Sequence, residues 1–525
     1  MQGRPLPGDL GGDLVVTAIG RAGFTGITAK QLSAVTQLPE AQVARKLGCL
    51  LDNKEVSRIG RGLWVLREFA VVEASNQSFK GAAWYDREFE RDFNLRICRQ
   101  KREIQFNPNE KLVAHRWWPY VQGFSAGFVA DICRRFGVGR GSVVIDPFCG
   151  SGTVPITARL LGAKGVGIDM MPIAAFVARA KGEWSVDPKS LQAAATGVTL
   201  DRSPSTLAKP FLTETDRHFQ PDVLASLLRL KENIWNLPEG RERELLQLGF
   251  GSILIDCSNL KRSPCLGYSK KLGLSSETPF EEFLRATRCI EKDLAWLQVR
   301  TPKWGPPVEI HLGSSASVKL PPSSIDLAIT SPPYVNGMDY PTNYKIDLAW
   351  LDFVHSYDEL ASLRAAMVAC DNIPRDTALS FSPPVEVKQD EWVRTVVNSI
   401  ERNIETKGAY RRHDMGQIVT KYFGDLVPVM QNVLRALKPG GRFVVVNGDS
   451  LLAGTYIPGD MIFARLAASI GFIVEGFDIA RERRSGQRRG FVLRESWTTL
   501  RKPGPLVPPN DGGGLHGLDA YGAPN

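Results

Sequence analysis

Two short peptides carry residue types and spacings that can do chemistry. Asp146-Pro147-Phe148-Cys149-Gly150-Ser151-Gly152-Thr153 follows the apolar run Ser142-Val143-Val144-Ile145, and Thr330-Ser331-Pro332-Pro333-Tyr334 follows Ile325-Asp326-Leu327-Ala328-Ile329. In the first peptide, Gly150 and Gly152 let the backbone approach a ligand closely, and amides there and at the start of the next helix can face a carboxylate. Asp146 can accept from an ammonium or a bound water. Asp169 ends the run Lys164-Gly165-Val166-Gly167-Ile168 and suits ribose hydroxyls. A ligand combining carboxylate, amine, ribose and adenine is a methyl donor such as S-adenosylmethionine. A dinucleotide site has a similar plan, but its G-x-G-x-x-G spacing is not this one. In the second peptide, Ser331 and the carbonyl of Pro332 can accept the two hydrogens of an exocyclic amine, so that its lone pair turns toward a methyl group. Pro332 and Pro333 fix the loop and remove competing donors. Tyr334 offers a flat face for stacking on an extruded base, which helps offset the cost of extrusion. The amine would then attack in line, aided by electrostatic preorganisation. The step requires neither covalent attack on the ring nor a metal.

The first peptide resembles the opening motif of amino-methylating DNA methyltransferases, a motif also found in some RNA guanine N2-methyltransferases. The second resembles the catalytic motif of the DNA enzymes. Asn336-Gly337-Met338-Asp339-Tyr340, Leu348-Ala349-Trp350-Leu351, Lys438-Pro439-Gly440-Gly441, Gly448-Asp449-Ser450 and Arg489 to Ser496 are similar to later segments, so the resemblance covers roughly residues 110–501. It implies a Rossmann-like α/β methyltransferase sheet with S-adenosylmethionine bound by Asp146, Phe148, Gly150, Ser151, Gly152, Thr153, Asp169 and Met170. It places Ser314 or Ser315 at the adenine ring. Tyr120, within the aromatic stretch from His115 to Phe124, closes over the methionine end. Ser331, Pro332, Pro333 and Tyr334 are the implied catalytic residues. A serine at the head of the motif is associated mainly with cytosine N4, an aspartate with adenine N6. The cofactor loop here precedes the catalytic loop with a long insert between, unlike the order common when serine leads. The leading expectation is N4-cytosine methylation of specific duplex DNA sequences, with a companion restriction endonuclease as a possible partner. Adenine N6 methylation, RNA base methylation and non-catalytic DNA binding are the alternatives. Pro264-Cys265 followed by Ser269 superficially resembles the nucleophile peptide of cytosine C5-methyltransferases, which adds C5 methylation to them.

These loops need a scaffold, and the chain is long enough for two or three domains at 525 residues. Apolar residues make up 43%, enough for a core, and no stretch is long and apolar enough to span a bilayer. The N-terminus lacks a signal peptide's basic region and apolar core. Eight cysteines without paired spacing and six histidines suggest neither a disulfide framework nor zinc, and fit a reducing cytoplasm, at the nucleoid. A net charge of +9 favours a polyanionic partner.

Residues 1–69 read as a separate module. Leu14 to Ile19 is a first helix, Thr28 caps a second containing Leu32, and Leu38-Pro39-Glu40 opens a third with Val43, Leu47, Leu50 and Leu51 inward. Glu55 to Ser57 and Leu63 to Leu66 form a hairpin turning at Gly60-Arg61-Gly62. The pattern resembles a winged helix-turn-helix, with Thr36, Gln37, Gln42, Arg45 and Lys46 near the groove and Arg58 and Arg61 on the wing. A small module for protein contacts is the other reading. Residues 70–110 are expected as a linker and a helix reaching about Lys101. The methyltransferase domain occupies 111–501 with an insert at about 182–306, and 502–525 is a Pro/Gly-rich flexible tail. Lys261, Arg262, Lys270 and Lys271 in the insert, and Arg481, Arg483, Arg484, Arg488 and Arg489 near the end, are candidate phosphate contacts.

Overall fold

A computed structural model of the protein describes residues 14–19, 27–53, 55–59, 63–66, 81–100, 104, 107–120, 123, 125–262, 265–269, 271–300, 304–370, 373, 378, 380–407, 412–484 and 492–505. The first module runs helix 14–19, strand β1 (Ile27–Thr28), helices Ala29–Thr36 and Glu40–Asp52, then strands β2 (Val56–Ile59) and β3 (Leu63–Leu66). Strand β3 lies between β1 and β2, antiparallel to both. Thr28 and Gln31 form a reciprocal capping box that starts the second helix. Val43, Leu47 and Leu50 join Val15, Ile19, Leu32 and Val56 in one small core. Leu51, expected inside, is 43% exposed, because it sits on the flank of the stripe those three residues form. The Gly60-Arg61-Gly62 turn lies outside the described residues.

The expected long helix before the catalytic domain stops early. It spans Ala82–Phe93 and ends where Asn94 takes a left-handed φ of 49°. Ile97–Arg99 then forms β4, which pairs parallel with a late strand. Tyr85 and Phe89 are buried in the catalytic core, so this crossing segment is built into the main sheet.

Seven further strands complete that sheet: β5 (Val143–Asp146), β6 (Lys164–Asp169), β9 (Glu309–Leu312), β10 (Ile325–Thr330), β11 (Leu437–Gly448), β14 (Ile473–Arg484) and β15 (Val492–Arg501). Between them fall two small hairpins, β7 (Leu260–Arg262) with β8 (Leu266–Tyr268), and β12 (Ser450–Leu452) with β13 (Thr455–Ile457). The sheet order is β4-β14-β15-β11-β10-β5-β6-β9, parallel except for β15, which runs antiparallel to both neighbours. Both faces are covered. Val144, Leu327, Ile329, Val444 and Val446 pack on one side, and Ile145, Ala328, Phe443 and Val445 on the other. That period-two split within continuous apolar runs is what a parallel sheet requires. From β5 the chain builds outward through β6 to β9, then returns to lay β10 on the opposite side of β5. The carboxyl ends of β5 and β10 therefore meet at a topological switch point, where open α/β sheets bind ligands.

The insert is not a detached module. Its helices Pro188–Val198, Pro221–Trp235, Arg241–Ile253 and Thr278–Gln298 share one core with Ile173, Phe176 and Val177 of the Pro172–Lys181 helix and with Trp350. Asp293 of the longest insert helix is buried. It accepts from the backbone of Ala114 at 3.0 Å and Trp117 Nε1 at 2.7 Å, and pairs with Arg116 at 2.6 Å. These bonds fix the aromatic stretch that leads to Tyr120.

Candidate active site

Both loops emerge at the switch point and are bonded together. Thr330, the last residue of β10, donates its hydroxyl to Asp146 Oδ1 at 2.6 Å. The same oxygen accepts from the Phe148 amide at 2.9 Å, while Asp146 Oδ2 is buried with no partner among the described residues. Asp169 holds the glycine loop from the neighbouring strand: its Oδ2 accepts from Gly150 N at 2.8 Å and its Oδ1 from Met171 N at 2.9 Å. Burial pushes the Asp146 carboxyl up to about 7 and that of Asp169 up to about 6, against the pull of these hydrogen bonds.

The two glycines sit in different surroundings. Gly150 has φ of 49°, and a Cβ there would lie 3.0 Å from Tyr120 Cε1. Gly152 has φ of 84°, and its Cβ would lie 2.9 Å from that of Ala178. Gly152 thus allows loop and helix to pack, whereas Gly150 borders the cavity.

That cavity has a volume of about 430 Å³, suited to a nucleoside-sized ligand. Tyr120, Phe148, Gly150, Ser151, Thr153, Asp169 and Met170 line it, as do Ser314 and Ser315 after Gly313, and Ser331 and Pro333 of the second loop. Asp146, Gly152, Pro332 and Tyr334 stand behind or beside the wall. The residues fit S-adenosylmethionine on the structure's own terms. A glycine loop borders the cavity, and Asp169 and the serines after Gly313 face it. Among the described residues no group of His, Cys, Asp or Glu is gathered to hold a metal ion.

Tyr334 sits on the far side of the loop, where its Cε2 approaches Gly448 at the end of β11. The Gly337 amide donates to the Tyr334 carbonyl at 2.7 Å, and Ser450 Oγ donates to Asn336 Oδ1 at 2.9 Å. The Ser-Pro-Pro-Tyr loop and the residues after it are thereby fastened to the start of β12 as well as to β5.

The sequence reading missed the outer wall. Tyr340, Met367, Phe381, Lys421 and Asp425 also line the cavity. Lys421 Nζ pairs with Asp425 Oδ1 at 2.8 Å and lies 4.7 Å from the Phe381 ring centroid. The only local signal was the unusual helix Met415–Ala436, which carries Gly424 and an internal Pro428. A Cβ at Gly424 would lie 2.5 Å from Phe381 Cζ.

Several expected phosphate contacts are committed within the protein. Arg262 pairs with buried Asp347. Lys271 donates to the carbonyls of Ile255 and Asp256, and Arg481 makes a two-pronged pair with Glu495 at 2.6 and 2.9 Å. The physical reason is common to all three: half-buried cations next to carboxylates or helix-end carbonyls satisfy those acceptors first. Arg45 and Lys261 are exposed, and Lys46 is half-buried. Arg483 and Arg484 end β14 opposite Leu493 and Val492. Arg61, Lys270, Arg488 and Arg489 lie outside the described residues. Cys265 is exposed between the strands of the β7–β8 hairpin and does not line the cavity.

Comparison with known proteins agrees with this geometry. The family model UPF0020, RMKL-like methyltransferase domain, matches residues 126–210. The Type II methyltransferase M.BsoBI of Geobacillus stearothermophilus is 26% identical over 459 residues, covering 76% of this chain and 88% of that protein. The Type II methyltransferase M.AvaI of a Nostoc species is 23% identical over 434 residues, covering 74% and 85%. The family match spans the glycine loop and Asp169, and the relatives extend the likeness over some three quarters of the sequence, so over that length the chain is similar to Type II methyltransferases.

Proposed function

We propose that the protein methylates the exocyclic N4 amine of cytosine within specific duplex DNA sequences. One observation carries this reading: Ser331, the serine that heads the catalytic motif, lines the same cavity as Gly150, Ser151 and Asp169. The bound cofactor supplies an electrophilic methyl group. The chain's own residues do the rest. Asp146 and Asp169 hold the glycine loop in place through the Phe148 and Gly150 amides. Ser331 Oγ and the Pro332 carbonyl accept from the target amine and turn its lone pair toward the cavity. Tyr334, outside the cofactor cavity, supports the extruded base by stacking. The first module is read as a winged helix that contacts DNA with Arg45 and Lys46, and Lys261 of the insert as a further phosphate contact. A cytoplasmic, nucleoid-associated enzyme with a companion restriction endonuclease completes the proposal, in keeping with relatives named Type II methyltransferases.

The test is product identity. The protein is incubated with labelled S-adenosylmethionine and unmethylated duplex DNA, and the nucleosides are separated by mass spectrometry. N4-methylcytosine supports the proposal. N6-methyladenine keeps the architecture and overturns the base, and transfer to RNA alone overturns the DNA substrate.

A further inference from the structure

We infer that Arg262, on the insert hairpin, is a positioning residue for the cofactor loop and acts through a stacked column of Tyr344 and Tyr120. Its side chain is only 9% exposed, which already argues against a phosphate contact. The guanidinium pairs with Asp347 through Nη2, and Nε donates to the Asn343 carbonyl at 3.1 Å. Its Cζ stands 4.2 Å from the centroid of the Tyr344 ring. Tyr344 is fully buried and stacks on Tyr120 with centroids 5.2 Å apart and planes at 19°. Tyr120 closes the column on the glycine loop, where it occupies the space a Cβ at Gly150 would need.

The hairpin reinforces the grip. The Leu266 amide donates to Asn343 Oδ1, so both strands hold the segment that follows the catalytic loop. Tyr340, at the start of that segment, lines the cofactor cavity. One side chain on the insert therefore fixes a wall of the cavity and the ring that lies over its glycine loop. The chemistry calls for arginine. Lysine would keep a charge beside Asp347, but it has neither the planar face to stack on Tyr344 nor the fork to hold Asp347 and Asn343 together. A structural ion pair alone would not need this arrangement, since a buried pair offers little net stability. The insert also carries the exposed Lys261 on the same strand, so anything that binds the hairpin is linked to the cofactor loop through the column.

The inference rests on the cofactor and not on the target base, so it is tested without DNA. S-adenosylmethionine affinity is measured by calorimetry on the full chain for wild type, Arg262→Lys, Tyr120→Leu and the double variant, with Lys189→Ala, exposed on the Pro188–Val198 helix of the insert, as the control. Arg262→Lys is expected to weaken binding about tenfold, the scale of a desolvated arginine–ring contact. In the Tyr120→Leu background the same change should cost less than about twofold, because contacting residues couple when they act as one unit. Lys189→Ala should leave the affinity unchanged. Equal losses in both backgrounds would overturn the column. So would unchanged cofactor affinity in Arg262→Lys. Should that variant not fold, the wild type still decides. Cofactor binding is expected to slow amide hydrogen exchange in the β7–β8 hairpin, and exchange there indifferent to the cofactor overturns the proposal.

Discussion

Replacing Thr330 by Val removes one hydroxyl at the junction of the two loops and little else. Thr330 is fully buried, and its hydroxyl gives Asp146 one of the two hydrogen bonds its Oδ1 receives. The volume is nearly conserved, so the cost is that of the bond. A hydrogen bond to a charged acceptor is worth about 1.5–3 kcal/mol and one between neutral groups about 0.5–1.5 kcal/mol. Burial holds the Asp146 carboxyl at about 7, so its charge state changes within the accessible range. Below that pH the acid is protonated and the bond is of the weaker kind; above it, the hydroxyl steadies an anion. Thr330→Val should therefore destabilise by about 0.5–1.5 kcal/mol at low pH and by about 1.5–3 kcal/mol at high pH. Urea unfolding of wild type and variant at pH 5.5 and pH 8.5 measures the two differences. Cofactor affinity should fall with stability, because the same bond fixes the glycine loop. A penalty equal at both pH values, or none at either, would refute the view that Thr330 stabilises a titrating Asp146.

Other expectations follow from the same geometry. Asp146→Asn should gain stability relative to wild type as pH rises. The raised carboxyl of Asp146 contributes stability fully present below an unfolded value of about 4 and lost as pH rises through about 7, whereas Asn does not titrate. The variant–wild-type difference in urea midpoint tests this and cancels the opposing contribution of buried His115, whose ring is pushed down to about 3. Gly152→Ala should destabilise by about 2–4 kcal/mol in thermal unfolding, because a side chain at φ of 84° is strained and its Cβ would meet Ala178. Tyr334→Ala should lower kcat/KM for DNA by about 10- to 100-fold, the scale of one base stacked on an aromatic ring. Calorimetry should show cofactor affinity within about twofold of wild type, since Tyr334 does not line the cavity.

The local peptides announced most of the chemistry. A glycine loop after an apolar strand, an acid closing the next strand and Ser-Pro-Pro-Tyr after a third are short-range patterns, and backbone conformation at such spacing is a local property. The same holds for helices with a clear apolar stripe, such as Glu40–Asp52 with Val43, Leu47 and Leu50. The early stop at Asn94 was not legible, because the value of Ile97–Arg99 as a strand arises only from pairing with Phe477 to Ile479, far away in sequence. Nor could spacing show that Thr330 bonds Asp146, that Lys421 and Asp425 wall the cavity, or that Arg262, Lys271 and Arg481 turn to partners inside the protein. A basic residue reads the same in sequence whether it faces phosphate or a buried carboxylate. Its role is set by which acceptor the fold brings within hydrogen-bonding reach, and by the cost of leaving that acceptor unpaired once water has gone. Sequence thus determined the reaction's local parts, and the tertiary structure decided which side chains are joined to them.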